Sequence, residues 1–160
     1  MKFVSPTDGL MDIKTIYKTI IEFIKKEPEN QYKLIVGTDS QPGVKENIFV
    51  TAIVIYRLGR GGRFFYRKER DGLQVGMKQR IFYEVSRSLE VASKLTGILA
   101  REEEQYTELL DIEIHVDVGK KGPSNEIIKE VVGMVVGNGY DAMIKPGAYA
   151  ASTVADKYTK

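Results

Sequence analysis

The sequence predicts an α/β fold built on a mixed sheet. Apolar residues at helical spacing fill segments 12–26, 77–100 and 124–136, where one face of each helix would be buried. Three β-branched or aromatic runs, 32–39, 48–56 and 63–70, follow one another with a Gly59-Arg-Gly-Gly turn between the second and third. Two further runs, 111–118 and 140–145, each come after a helical segment.

In chain order, Ile13, Ile16, Tyr17, Ile20, Ile21 and Ile24 mark an N-terminal amphipathic helix, which the polar stretch Glu27 to Gln31 ends. Strands one to three are joined by short turns and must be antiparallel neighbours. A long helix runs from Met77 to about Ala100, and Ser124 is a plausible N-cap for the next one. Pro146-Gly147 opens a last helix, Ala148 to about Tyr158, rich in small residues. Right-handed crossovers lay strands four and five parallel to strand one. The expected sheet has five strands in order 3-2-1-4-5, with helices on both faces and the N-terminal helix as an addition. The 160 residues suit a single domain, 1–160, with residues 1–30 as an extension packed on it.

Composition narrows the chemistry. The chain has no cysteine and one histidine, His115, which excludes disulfides and thiolate sites and argues against zinc. No apolar run approaches the roughly 20 residues of a membrane span, and the N-terminus lacks the apolar core of a signal peptide, so a cytoplasmic location without membrane contact is expected. A net charge of +2 does not by itself argue for nucleic acid. There is no P-loop, Gly-x-Gly-x-x-Gly, Gly-x-Ser-x-Gly or zinc-metalloprotease signature.

Four acids carry the functional signal. Asp39 ends the run Leu34-Ile-Val-Gly-Thr-Asp-Ser and Asp117 the run Ile112-Glu-Ile-His-Val-Asp-Val-Gly. In the expected sheet they stand at the C-terminal ends of adjacent strands, where open α/β sheets bind ligands. Glu84 lies about 60° from the centre of its helix's apolar stripe, and an acid there is costly unless paired or bound to a cation. Asp156 lies in the small-residue helix, which can approach a sheet closely. Each acid has an ordinary explanation: turn formation for Asp39 and Asp117, a salt bridge to Arg80 or Arg87 for Glu84, an exposed helical position for Asp156. Together they suit oxygen-ligated Mg²⁺ or Mn²⁺ and phosphodiester hydrolysis by a pair of ions. Lys120, Lys121, Lys145 and Lys157 fall beside this site as candidate phosphate contacts, with Ser40 and His115 as further substrate contacts; for His115 a satisfied, buried ring is the simpler reading. Arg57, Arg60, Arg63, Arg67, Lys68 and Arg70 form a second basic group around the hairpin.

The segments Val36-Gly-Thr-Asp-Ser-Gln, Ile112-Glu-Ile-His-Val-Asp-Val-Gly, Val131-Val-Gly-Met-Val and Ile144-Lys-Pro-Gly-Ala-Tyr-Ala-Ala-Ser-Thr-Val-Ala-Asp-Lys-Tyr-Thr-Lys resemble the YkuK-type, RNase H-like family of bacteria. The resemblance runs from about the first helix to the last residue. It implies the RNase H-like fold and a carboxylate cluster from strand one, the first core helix, strand four and the last helix, matching Asp39, Glu84, Asp117 and Asp156. The resemblance carries over no firmly assigned activity; the four acids themselves make a metal-dependent nuclease acting on RNA or DNA the main expectation, and the rival is a non-catalytic nucleic-acid-binding or scaffold module on the same fold.

Overall fold

The structure, a computed structural model, describes residues 1–72, 75–102, 106, 110–118, 125–144 and 158. Its elements are β1 (Lys2–Ser5), β2 (Gly9–Asp12), α1 (Ile13–Lys26), β3 (Tyr32–Gln41), β4 (Asn47–Arg57), β5 (Gly61–Asp71), α2 (Met77–Glu102), β6 (Leu110–Val116), α3 (Asn125–Gly137) and β7 (Asp141–Met143). The strands form one mixed sheet in the order β2-β1-β5-β4-β3-β6-β7.

The five expected strands appear in this order as β5-β4-β3-β6-β7, but the sheet has seven strands among the described residues. Residues before the first helix form a β1–β2 hairpin, and Val4 pairs with Tyr66 to extend the sheet beyond β5. A four-residue strand puts only two side chains on each face, too few for alternation to show. The Ser5 hydroxyl accepts from the Thr7 and Asp8 amides, which gives the segment the look of a turn.

The long central strands follow from composition. Val50, Ile53, Val54 and Ile55 of β4 are all buried, as in a strand covered on both faces. Gly59 and Gly61 adopt positive φ (78° and 88°) in the β4–β5 turn, a conformation that side chains disfavour. Asp12 caps α1, its carboxylate accepting from the Thr15 amide at 2.9 Å.

The two faces of the sheet differ. Leu34, Val36, Ile53, Ile55, Phe65, Ile114 and Val116 share one core with Ile16, Ile20 and Ile24 of α1, Val85, Leu95 and Leu99 of α2, and Val131 and Val135 of α3. Burying each such side chain contributes roughly 1.5–3 kcal/mol. All three described helices therefore lie on one face. On the other, the Tyr158 ring stacks on Tyr66 at 3.7 Å with the planes 12° apart, above Val50 and Ala52. The rest of the expected last helix, 148–157, lies outside the described residues, so the expectation of helices on both faces is met among the described residues only by this contact. No helix among the described residues is long and apolar enough to cross a membrane.

Candidate metal and nucleic-acid site

The register of the two central strands builds the site. β3 and β6 run parallel, and their ladder ends at Thr38 opposite Val116. One step further lie Asp39 and Asp117, side by side on strands about 4.8 Å apart. Val116 and Val118 are buried in the helix-side core, which turns Asp117 between them toward the other face, the face that Asp39 shares by alternation from Ile35 and Gly37.

Asp39 does not end its strand. β3 continues to Gln41, and Asp39 pairs with Val50 inside the ladder. The turn-forming explanation thus fails for Asp39. Asp117 does sit in a tight turn, where the Val118 amide donates to the Val116 carbonyl at 2.9 Å.

Glu84 comes from the helix side. α2 turns Ile81, Glu84, Val85, Ser88, Ala92 and Leu95 toward the sheet, and Glu84 is only 8% exposed. The ordinary explanation, a salt bridge to Arg80 or Arg87, does not hold. Arg87 pairs with Glu69 and Asp71 and lies over the Phe49 ring, and Arg80 contributes only a weak field. The Glu84 carboxylate instead accepts from the Ser40 hydroxyl at 3.0 Å. Burial pushes Glu84 up to about 8; the Ser40 hydrogen bond opposes this, while the charges of Asp39 and Asp117 add to it. Those two fields are the sign that the three carboxylates share one neighbourhood around the C-terminal edge of β3 and β6.

Their oxygen donors suit a hard divalent cation, whose charge would offset the mutual repulsion that raises Glu84. As the side chains stand, no three His, Asp or Glu residues among the described residues are grouped closely enough to hold a metal ion. Asp156 lies outside the described residues, as do Lys120, Lys121, Lys145 and Lys157.

The remaining predicted contacts fare differently. Ser40 is engaged by Glu84. His115 is 5% exposed, and its Nε2 donates to Glu113 at 3.0 Å. Burial holds its pKa down, against the pull of Glu113, and leaves little of the ring to meet a substrate. The basic group around the hairpin is largely neutralised: Arg57 and Arg60 pair with Glu27, Arg63 with Asp8, Arg67 with Glu69 and Arg70 with Glu46. Sequence reading missed the buried hydroxyls of Thr38, Thr51 and Ser88 beside the acids; the spacing of Ser88, one helical turn after Glu84, was the available signal. A cleft of about 460 Å³ lined by Asn30, Gln31, Tyr32, Lys33 and Asp111 lies at the opposite end of these strands, away from the three acids.

The chain matches the Ribonuclease H-like family over residues 15–160, and it belongs to that family. It is similar to the uncharacterised protein YkuK of Bacillus subtilis (strain 168), with 29% identity over 170 aligned residues that cover 99% of this chain and 96% of that protein. The chain is thus of the YkuK type within the RNase H-like group. No solved structure matches it significantly.

Proposed function

We propose that this protein is a divalent-metal-dependent nuclease that hydrolyses phosphodiester bonds. The observation that supports it most is Glu84: a carboxylate buried at the C-terminal edge of the central strands, with no cation in salt-bridge contact among the described residues and two aspartates adding to its charge burden. A structural acid so buried is ordinarily paired. Family membership supports the same reading at the level of fold.

Asp39, Glu84, Asp117 and Asp156 would hold Mg²⁺ or Mn²⁺. Bound there, such ions would supply Lewis-acid stabilisation of the negative charge on a phosphodiester. Asp39 and Asp117 present oxygens from adjacent strand ends, and Glu84 approaches from the helix side. With its pKa at about 8, Glu84 holds a proton on its carboxyl at neutral pH and gives it up when a cation arrives. Lys120, Lys121, Lys145 and Lys157 would steer the phosphate backbone without reading sequence.

The test is a cleavage panel of single-stranded RNA, RNA–DNA hybrid, duplex DNA and four-way junction, with Mn²⁺ present. At least one member is cut, and Asp39→Asn and Asp117→Asn, purified in parallel, lose about a thousandfold or more of the rate. Cutting that survives in both variants belongs to a contaminant. Oligonucleotide binding that needs no metal, with nothing cut, replaces this reading with a non-catalytic binding module.

A further inference from the structure

Two rungs of side-chain hydrogen bonds join β3 to α2. On one, Ser40 donates to Glu84 at 3.0 Å. On the other, the Thr38 hydroxyl lies 2.8 Å from Ser88 and 3.0 Å from Thr51 of β4. The rungs match because the two periods match. Residues i and i+2 of a strand stand about 6.7 Å apart on one face, and residues i and i+4 of a helix about 6.0 Å apart on one side.

We propose that the Thr38–Thr51–Ser88 hydroxyl cluster is a positioning device that sets the register of α2 on β3 and thereby holds the Glu84 carboxylate against Ser40, at the end of β3 that carries Asp39. The value of that placement rests on the nuclease reading above; the placement itself does not.

Three features carry the proposal. Thr38, Thr51 and Ser88 are at most 3% exposed, so each hydroxyl must find its partner inside the protein. A hydroxyl offers one donor and two acceptor sites, so Thr38 can serve both neighbours at once. Elsewhere the sheet-facing stripe of α2 is apolar: Ile81, Val85, Ala92, Leu95 and Leu99 pack in the core without directional hydrogen bonds to the sheet. Moving α2 by one residue shifts it about 1.5 Å and turns it about 100°, which breaks the Thr38–Ser88 bond, strands the Ser88 hydroxyl and swings Glu84 away. The hydroxyls sit one helical turn from Glu84 and one strand residue from Asp39, where such a register lock has most leverage.

The test compares wild type, Thr38→Val, Thr38→Ser and Ser88→Ala by Mn²⁺ calorimetry, each also in a Glu84→Gln background. Proton NMR of the metal-free proteins follows the Ser40–Glu84 side-chain cross-peaks. Thr38→Val, which keeps shape and loses the hydroxyl, weakens Mn²⁺ binding about tenfold and loses the cross-peaks, and Thr38→Ser restores both. In the Glu84→Gln background the same change alters affinity by no more than about twofold, because the group being positioned is already gone. A general packing defect weakens both backgrounds alike and overturns the proposal, as do unchanged affinity and intact cross-peaks in Thr38→Val. If wild type binds no Mn²⁺, the nuclease reading falls. The cross-peaks then decide alone: their loss in Thr38→Val sustains the positioning role, and their persistence ends it. Should Thr38→Val not fold, Ser88→Ala carries the same readouts from the helix side.

Discussion

Glu84 and Glu113 are buried to nearly the same extent, 8% and 6% exposed, and the protein treats them in opposite ways. Both lose water, and burial works to raise both. Around Glu113 the loss is answered by a hydrogen bond from His115 and by Lys33 at 2.9 Å, and the balance holds its pKa below the usual range. Around Glu84, among the described residues, the Ser40 hydroxyl and a weak field from Arg80 answer, two aspartates add to the burden, and the pKa rises to about 8. The two acids also lie on opposite faces of the sheet, Glu113 along β6 in register with Ile35 and Glu84 reaching over from α2. Burial alone therefore does not mark a functional acid in this fold. What separates them is how deeply the carboxylate is enclosed, Glu84 being the deeper, together with whether the neighbours compensate its charge.

The contrast is sharpest in the pH dependence of stability. Glu84 has a folded pKa raised from 4.5 to about 8, so its contribution is fully present below pH 4.5 and is lost as pH rises through 8. Metal-free wild type should lose on the order of 4 kcal/mol from this group between pH 5 and 9. Urea unfolding of Glu84→Gln across that range should show the slope removed and the variant more stable than wild type at pH 9. Parallel profiles would mean that water reaches Glu84 and that the contrast is false.

Glu113 should behave with the opposite sign. Its folded pKa is lowered, so its contribution is present above the unfolded value near 4.5 and is lost as pH falls through the folded one. Lys33→Met leaves a buried carboxylate with His115 alone and should cost about 2 kcal/mol at pH 7, the Lys33 ammonium being partly in water. The difference from wild type should shrink toward pH 4, as chemical denaturation will read. A cost that does not change with pH would assign the loss to packing of the lysine stem.

Metal should convert one acid and ignore the other. Mn²⁺ binding at pH 7 should release protons, seen by calorimetry in buffers of different ionisation enthalpy, and Glu84→Gln should remove most of that release. Glu113→Gln should leave it unchanged. Release that survives Glu84→Gln would place the proton elsewhere.

The smallest effect belongs to the hairpin arginines. Arg60→Ala and Arg70→Ala remove partners from exposed ion pairs with Glu27 and Glu46 and should cost about 0.5 kcal/mol or less. Because these guanidinium groups are already answered by carboxylates, oligonucleotide affinity should hardly move in either variant, as fluorescence anisotropy at two salt concentrations can establish. A large loss of affinity would restore the hairpin as a phosphate-binding surface.

Much of this was legible before folding. Hydrophobic period alone distinguished α1, α2 and α3 from the long strands, because a 14- or 26-residue amphipathic segment repeats its signal many times. Short turns and crossover handedness placed Asp39 and Asp117 on neighbouring strands, and helical phase turned Glu84 toward the sheet. The β1–β2 hairpin was not legible, since four residues per strand carry too little alternation and its place beside β5 is a long-range choice. Nor was the pairing of the arginines: Arg57 meets Glu27 and Arg63 meets Asp8 only because α1 and the hairpin pack against the sheet. The difference between Glu84 and Glu113 is of this second kind. Residue type and period decide that each acid is buried, but desolvation and Coulomb fields depend on distance in space, and only the packed sheet sets Lys33 against Glu113 and leaves Glu84 within the fields of Asp39 and Asp117.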